Sequence, residues 1–299
     1  METKKKKIGF ILNPYAGIGG KAGLKGSDNY KKIEKLLLEG CERTAPKRAE
    51  SCMSKIADLT ASLVAGDKGS VGEKNFSILS APGDMGEALL KKLKIPCDVV
   101  LCPKADTSSA EDTKLCAQIM KEQGVDLLVF CGGDGTARDI CEAVGTDVTV
   151  LGIPAGVKMY SACYACNPYQ AGEMLAGWLE GKEMSYEMRE VLDIEEKDLD
   201  SRNVSPQLYG FLEVLSDGKH LQKAKELDLG SGESATIIAR AAILRMEKDW
   251  VYIIGPGGTT WKIKELLCEN DEQEDTGKKN VHGTVRGVDV IRNGKIICE

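Results

Sequence analysis

Apolar and polar positions along this chain follow two alternating regimes. Short runs rich in aliphatic and β-branched residues predict buried strands at Ile8 to Leu12, Phe76 to Leu79, Asp98 to Cys102, Val125 to Cys131 and Val148 to Ile153. Between them, apolar residues recur at helical spacing. Ile33, Leu36 and Leu37 mark a helix within Tyr30 to Leu38, and Ile56, Leu59, Leu63 and Val64 mark another. Met85 to Leu93 is a further helix. Ser108-Ser109-Ala110-Glu111-Asp112 carries a capping box that opens a helix through Lys121. Ile140 and Val144 carry a helix from Thr136. Residues 8 to 155 therefore alternate strand and helix, which predicts a doubly wound parallel sheet with helices on both faces. In such a sheet the loops after the strands share one edge, where ligands bind.

The second half is less regular. Pro168 to Leu179 and Ser234 to Met246 predict helices; Met188 to Ile194, Leu208 to Leu215 and Trp250 to Ile254 predict strands. The last of these runs into Gly255-Pro256-Gly257-Gly258-Thr259-Thr260 and a helix from Trp261 to Leu267. Val288 to Ile291, a turn over Arg292 to Lys295, and Ile296-Ile297 read as a β-hairpin. The pattern predicts an N-terminal α/β domain over residues 1–160 and a β-rich α+β domain over residues 161–299.

Chemistry concentrates where the fourth strand ends. Gly132-Gly133-Asp134-Gly135-Thr136 joins that strand to the next helix. The three glycines permit positive φ and let a ligand approach bare backbone. A helix start adds unpaired N–H groups and a positive dipole end, so the loop suits phosphate. A carboxylate beside phosphate is repulsive, so Asp134 suits a different role, either binding a metal or accepting a proton from an attacking hydroxyl. The plain alternative is a turn aspartate that caps its helix through the Thr136 N–H. A second glycine-rich loop follows the first strand, Asn13-Pro14-Tyr15-Ala16-Gly17 onward, with five glycines between residues 17 and 26. Lys21 and Lys25 within it are phosphate contacts or solvated charges. Arg138 either meets phosphate or pairs with Glu142 at i, i+4. Lys158, after the fifth strand, is a candidate phosphate cation, and Trp261 is read as a packing residue.

Composition narrows the classes. The 299 residues carry a formal net charge of −6 with aromatic content of 5%, so neither a basic field for nucleic acid nor a basic amphipathic membrane helix is expected. No apolar run is long enough to span a bilayer. Eleven cysteines, several inside apolar strands, fit buried reduced thiols and a cytoplasmic location. Cys163-x-x-Cys166 lacks a second pair, and with two histidines in the chain no metal site is assigned.

At Gly132-Gly133-Asp134-Gly135-Thr136 and Asn13-Pro14-x-Ala16-Gly17 the chain resembles the NAD kinase superfamily, which diacylglycerol and sphingosine kinases also join. The fuller likeness is to its ATP-NAD kinase-like, acetoin-catabolism accessory-type branch. It extends through Gly23 to Gly26, Ala110 to Thr113, Gly132 to Asp139, Gly152 to Lys158, Glu190 to Ile194 and Gly255-Pro256-Gly257 with Thr259-Thr260. The resemblance implies a two-domain kinase passing a phosphoryl group from ATP or polyphosphate to the adenosine-ribose 2′-hydroxyl of NAD, with Mg²⁺. Asp134 would be the general base. Asn13, Gly132, Gly133, Gly135, Thr136, Arg138, Lys158, Gly257, Thr259 and Thr260 would line the nucleotide and its phosphates. It implies a homo-oligomer acting on nucleotides. The family's paired adenosine-gripping residues have no clear counterpart; Glu190 and Asp193 are candidates. Gly258 stands where a threonine is expected. Relatives in this branch extend further at the C-terminus, so the second domain is expected to be incomplete. Two other functions stay open: a kinase for a lipid or small-metabolite hydroxyl, and a non-catalytic nucleotide-binding regulator.

Overall fold

The computed structural model describes residues 5–18, 37–38, 40–64, 76–102, 108–156, 159–193, 206–222, 231–255, 257–271 and 288–298. The chain forms two compact units, residues 1–225 and 226–299.

In the first unit the apolar runs form the expected strands: β1 (Lys6–Leu12), β2 (Phe76–Ser80), β3 (Asp98–Val99), β4 (Leu127–Gly132) and β5 (Val150–Pro154). Helices alternate with them: α1 (Thr44–Val64), α2 (Glu87–Lys92), α3 (Ala110–Glu122) and α4 (Asp134–Val144). β4 and β5 are buried at every residue, as unbroken apolar runs in a parallel sheet should be. The capping box at α3 forms as expected: Asp112 N–H donates to Ser109 Oγ, and Ser109 N–H donates to Asp112 Oδ2. Helix α1 begins well before the predicted Ile56, because Ala45, Ala49, Cys52 and Met53 also face the core. The helix expected over Tyr30 to Leu38 lies almost wholly outside the described residues.

Strand order is β3-β2-β1-β4-β5-β7-β6, where β6 is Ser185–Asp193 and β7 is Gln207–Ser216. The five N-terminal strands pair in parallel. The two strands read as opening a second domain instead extend this sheet. β7 joins β5 in parallel at Val150 and Val214, and β6 returns antiparallel along it. Leu212, Val214 and Leu215 are buried there, so the hairpin closes the first core. Helix α5 (Pro168–Leu179), with Pro168 in its first turn and Asn167 as its cap, packs on α1. The compact division thus falls at 225/226 and the pattern-based division at 160/161.

The second unit holds α6 (Ser231–Leu244), β8 (Val251–Ile254), α7 (Gly258–Asp271), β9 (Asp289–Arg292) and β10 (Lys295–Cys298). Its antiparallel sheet has the order β10-β9-β8, and Ala239, Ile263, Leu267 and Ile291 form its core. Asn293 (φ 50°) and Gly294 (φ 78°) turn the predicted hairpin, the backbone signature of a tight Asn-Gly turn.

Candidate active site

Because β1 leads outward to β2 and β3, and the chain then returns to β4 on the other side, the sheet's direction of winding reverses between β1 and β4. A crevice opens at the carboxyl ends of two such strands. Asn13 follows β1 and Asp134 follows β4, so both glycine loops meet at this point. Two hydrogen bonds join them, and a third shapes the first loop. Asn13 N–H donates to Cys131 O at 3.0 Å. Asn13 Nδ2 donates to Thr136 Oγ1 at 3.0 Å, while its Oδ1 accepts from Tyr15 N–H at 3.1 Å. Thr136 is buried and its side chain lies against Gly132, where an added Cβ would sit 2.3 Å from Thr136 Cβ. The loop after β5 closes on the same point. Gly17, at φ 80°, would place a Cβ 2.2 Å from Ala155 O, and Ala155 N–H donates to Gly132 O at 2.9 Å.

The glycines work differently from expectation. None of Gly132, Gly133 and Gly135 is among the glycines with positive φ. Gly132 is needed for the close approach of Thr136. A Cβ at Gly133 would meet nothing within 4 Å, and one at Gly135 would meet only Asp193 Oδ2, at 3.8 Å. Backbone exposure rather than unusual torsion is what these two positions offer.

Asp134 does not cap its helix. Helix α4 starts at Asp134, two residues before the predicted Thr136, with Gly133 in the cap position and no side-chain cap. The Asp134 carboxylate instead reaches across the sheet edge. Its Oδ2 accepts from Tyr160 N–H and its Oδ1 from Ser161 N–H, both at 2.9 Å. The segment it holds is tied down again on its far side. Ser161 Oγ donates to Leu192 O at 2.8 Å and accepts from Leu192 N–H at 3.0 Å, and Ala162 N–H donates to Glu190 O at 3.0 Å. Tyr164 OH donates to Gly133 O at 2.5 Å, from a buried ring set edge-on to Phe130. Burial, with the neighbouring Cys163 thiol and Asp134 carboxylate, holds the Tyr164 phenol well above its ordinary value. Burial and Asp134 also raise the Tyr160 phenol.

Arg138 lies one turn into α4. Its partner is Asp193 at the end of β6, with Nη1 to Oδ2 3.1 Å, and Tyr209 faces its guanidinium at 5.5 Å. The predicted i, i+4 pairing with Glu142 is replaced: Glu142 faces Lys114 at 3.5 Å. The longer reach to Asp193 prevails because α4 packs on β6. Asp193 therefore stands beside Gly135 and Arg138, where the sequence marked it only as one of two candidates.

Asn13, Gly132, Gly133, Asp134, Gly135, Thr136 and Arg138 are thus gathered at one edge of the first unit. Lys158, Lys21 and Lys25 lie outside the described residues. Gly257, Thr259 and Thr260 belong to the second unit. There Gly257, at φ 152°, precedes α7: its carbonyl accepts from Thr260 Oγ1 at 3.0 Å and from Trp261 N–H at 2.8 Å. Thr259 is exposed. Tyr160, Ser161 and Tyr164 escaped the sequence reading. Their one signal was a polar-aromatic cluster following a strand that ends at the same edge.

Among the described residues no helix is long and apolar enough to cross a membrane, and no group of three or more His, Cys, Asp or Glu could hold a metal ion.

A family described as the ATP-NAD kinase N-terminal domain matches residues 8–183. Two solved structures are similar in part. A diacylglycerol kinase from Bacillus anthracis str. Sterne shares 15% identity over 62% of this chain and 44% of its own, with a TM-score of 0.28. A second structure from that strain, named for the same enzyme class, shares 13% identity over 86% of this chain and 63% of its own, with a TM-score of 0.31. This chain therefore spans less than two thirds of either. No curated protein matches it.

Proposed function

The chain belongs to the ATP-NAD kinase family, and from that premise we propose that it transfers a phosphoryl group from ATP or polyphosphate to the 2′-hydroxyl of NAD. The observation that carries this reading is the meeting of two glycine loops at the sheet's reversal point, with one carboxylate, Asp134, fixed at the start of α4.

The phosphates would lie over Gly133 and Gly135, where an added Cβ meets no atom closer than 3.8 Å, at the start of α4 and the positive end of its dipole. Asn13 and Thr136 are assigned as the pair that holds the two loops in register, since each already engages the other. Backbone amides of Tyr160 and Ser161 each donate to one oxygen of Asp134, and the carboxylate fixed in this way is the group that would take the proton of an attacking hydroxyl. Two fixed amides also hold the carboxylate in one orientation, which a general base needs. Arg138, held by Asp193, would supply positive charge near the phosphates.

The donor set fits a divalent cation carried by the nucleotide rather than caged by protein. Mg²⁺ commonly takes one or two carboxylates plus phosphates and keeps several waters; Asp193, beside Gly135, is the residue that would hold it. When bound, such a cation neutralises charge building on the transferred group.

A second reading is favoured by the same two bonds: Asp134 is a pure anchor for Tyr160 and Ser161 in a protein that binds nucleotide without turnover. NADP formation from NAD, with ATP or polyphosphate and Mg²⁺, tests the first reading. Asp134→Asn, measured alongside nucleotide binding and melting temperature, separates the two. The catalytic reading expects turnover to fall by about two to four orders of magnitude while nucleotide still binds. Wild-type protein that binds nucleotide but never forms product favours the anchor.

A further inference from the structure

A pair of thiols lies away from the glycine loops and takes no part in the function proposed above. Cys102 follows β3 and is partly exposed; Cys116 lies on α3 and is buried. Their sulfurs are 3.1 Å apart. That is closer than ordinary sulfur contact and about 1 Å longer than a disulfide bond, so side-chain rotation of that size closes the gap. The surroundings hold both partners in place. The strand tail is anchored where Val100 N–H donates to Ser80 O at 2.9 Å. The helix is anchored by its capping box and by Ala117 and Met120, both fully buried in the core.

We propose that Cys102 and Cys116 are a modification site: a dithiol that a small-molecule disulfide such as oxidised glutathione converts to an internal disulfide. The more exposed Cys102 reacts first. Its thiolate attacks one sulfur of the oxidant, the oxidant's S–S bond breaks, and one glutathione thiolate leaves. Cys116, losing its proton to solvent, then attacks the Cys102 sulfur and expels the second glutathione thiolate. Two protein thiols are oxidised and one glutathione disulfide is reduced to two thiols. Burial and the adjacent Cys102 sulfur push the Cys116 thiol up, so Cys116 is the slower of the two to react with an outside disulfide. The bond would fasten the end of β3 to α3. That helix packs on α4, with Lys114 reaching Glu142 at 3.5 Å.

The test uses the full chain, incubated with oxidised glutathione, blocked with iodoacetamide and digested without reduction. Mass spectrometry should find the Cys102 and Cys116 peptides joined, and dithiothreitol should release them. Cys116→Ser should instead retain glutathione on Cys102. Wild-type protein in which both cysteines take the alkyl group as fully as the exposed Cys166 overturns the proposal. So does a lasting glutathione adduct on wild-type Cys102, or a Cys116 peptide joined to a different cysteine.

Discussion

Each unit of the molecule uses the order strand, glycine loop, helix with related residues, and the two instances compared, after β4 and after β8, are held by different forces. In the first unit β4 is buried throughout, and its loop is fixed from a distance: Asn13 from β1, Ala155 from β5, Tyr164 from the segment beyond it. Asp134 reaches outward to two amides of another loop. In the second unit β8 alternates exposed and half-buried residues, and its loop is fixed locally, Gly257 with Thr260 and Trp261. The helix that follows is held instead through Lys264, paired with Asp289 of β9, both fully buried. The first loop is thus shaped by several strands, and the second, among the described residues, by its own turn.

The largest effect that would sharpen this contrast lies in the second unit. Lys264→Met should destabilise it by about 3–5 kcal/mol, because it leaves the Asp289 carboxylate buried without its cation. Denaturant unfolding followed by hydrogen exchange should locate the loss in residues 226–299. Equal loss of protection across the first unit would break the comparison.

Next come the glycines of the first loop. Gly132→Ala drives a Cβ into Thr136 and should cost about 1–3 kcal/mol, visible as a lowered midpoint in urea. Gly133→Ala meets empty space and should leave stability nearly unchanged while weakening nucleotide affinity, measured by calorimetry. The reverse order of stabilities would refute the close packing assigned to Gly132.

The strand feeding each loop also differs in pH response. Cys131, the residue before Gly132, is fully buried, and its thiol is pushed up from 9.0 to about 12 by that burial. The folded state thus keeps a proton that the unfolded chain releases. The sign follows: this stabilisation is complete below about pH 9 and is lost as pH rises toward 12, at up to about 1.4 kcal/mol per pH unit. Cys131→Ala should flatten that alkaline slope in urea titrations between pH 8.5 and 10. β8 contains no cysteine and contributes no such slope.

The smallest expected change is Thr260→Val. It removes one hydroxyl-to-carbonyl bond from the local turn and should cost about 0.5–1 kcal/mol. A loss as large as that of Lys264→Met would show the second loop to be more than a local turn.

The sequence by itself determined the strands of residues 8 to 155 and the helices among their described residues, the capping box at Ser109, the Asn-Gly hairpin and where the loop after β4 begins. These depend on periodicity and on local backbone chemistry, which neighbouring residues carry. It also singled out Asp134, because a carboxylate among glycines conflicts with phosphate binding alone. Tertiary structure alone decided the partners. Asp134 bonds to amides 26 and 27 residues away, and Arg138 chooses Asp193, 55 residues away, over a neighbour one turn along its helix. Placing β6 and β7 in the first sheet was equally beyond local pattern, since an apolar strand carries no mark of which sheet edge it will cover. Long-range contacts of this kind are set by which surfaces remain unsatisfied once the core has formed, and that is a property of the whole fold.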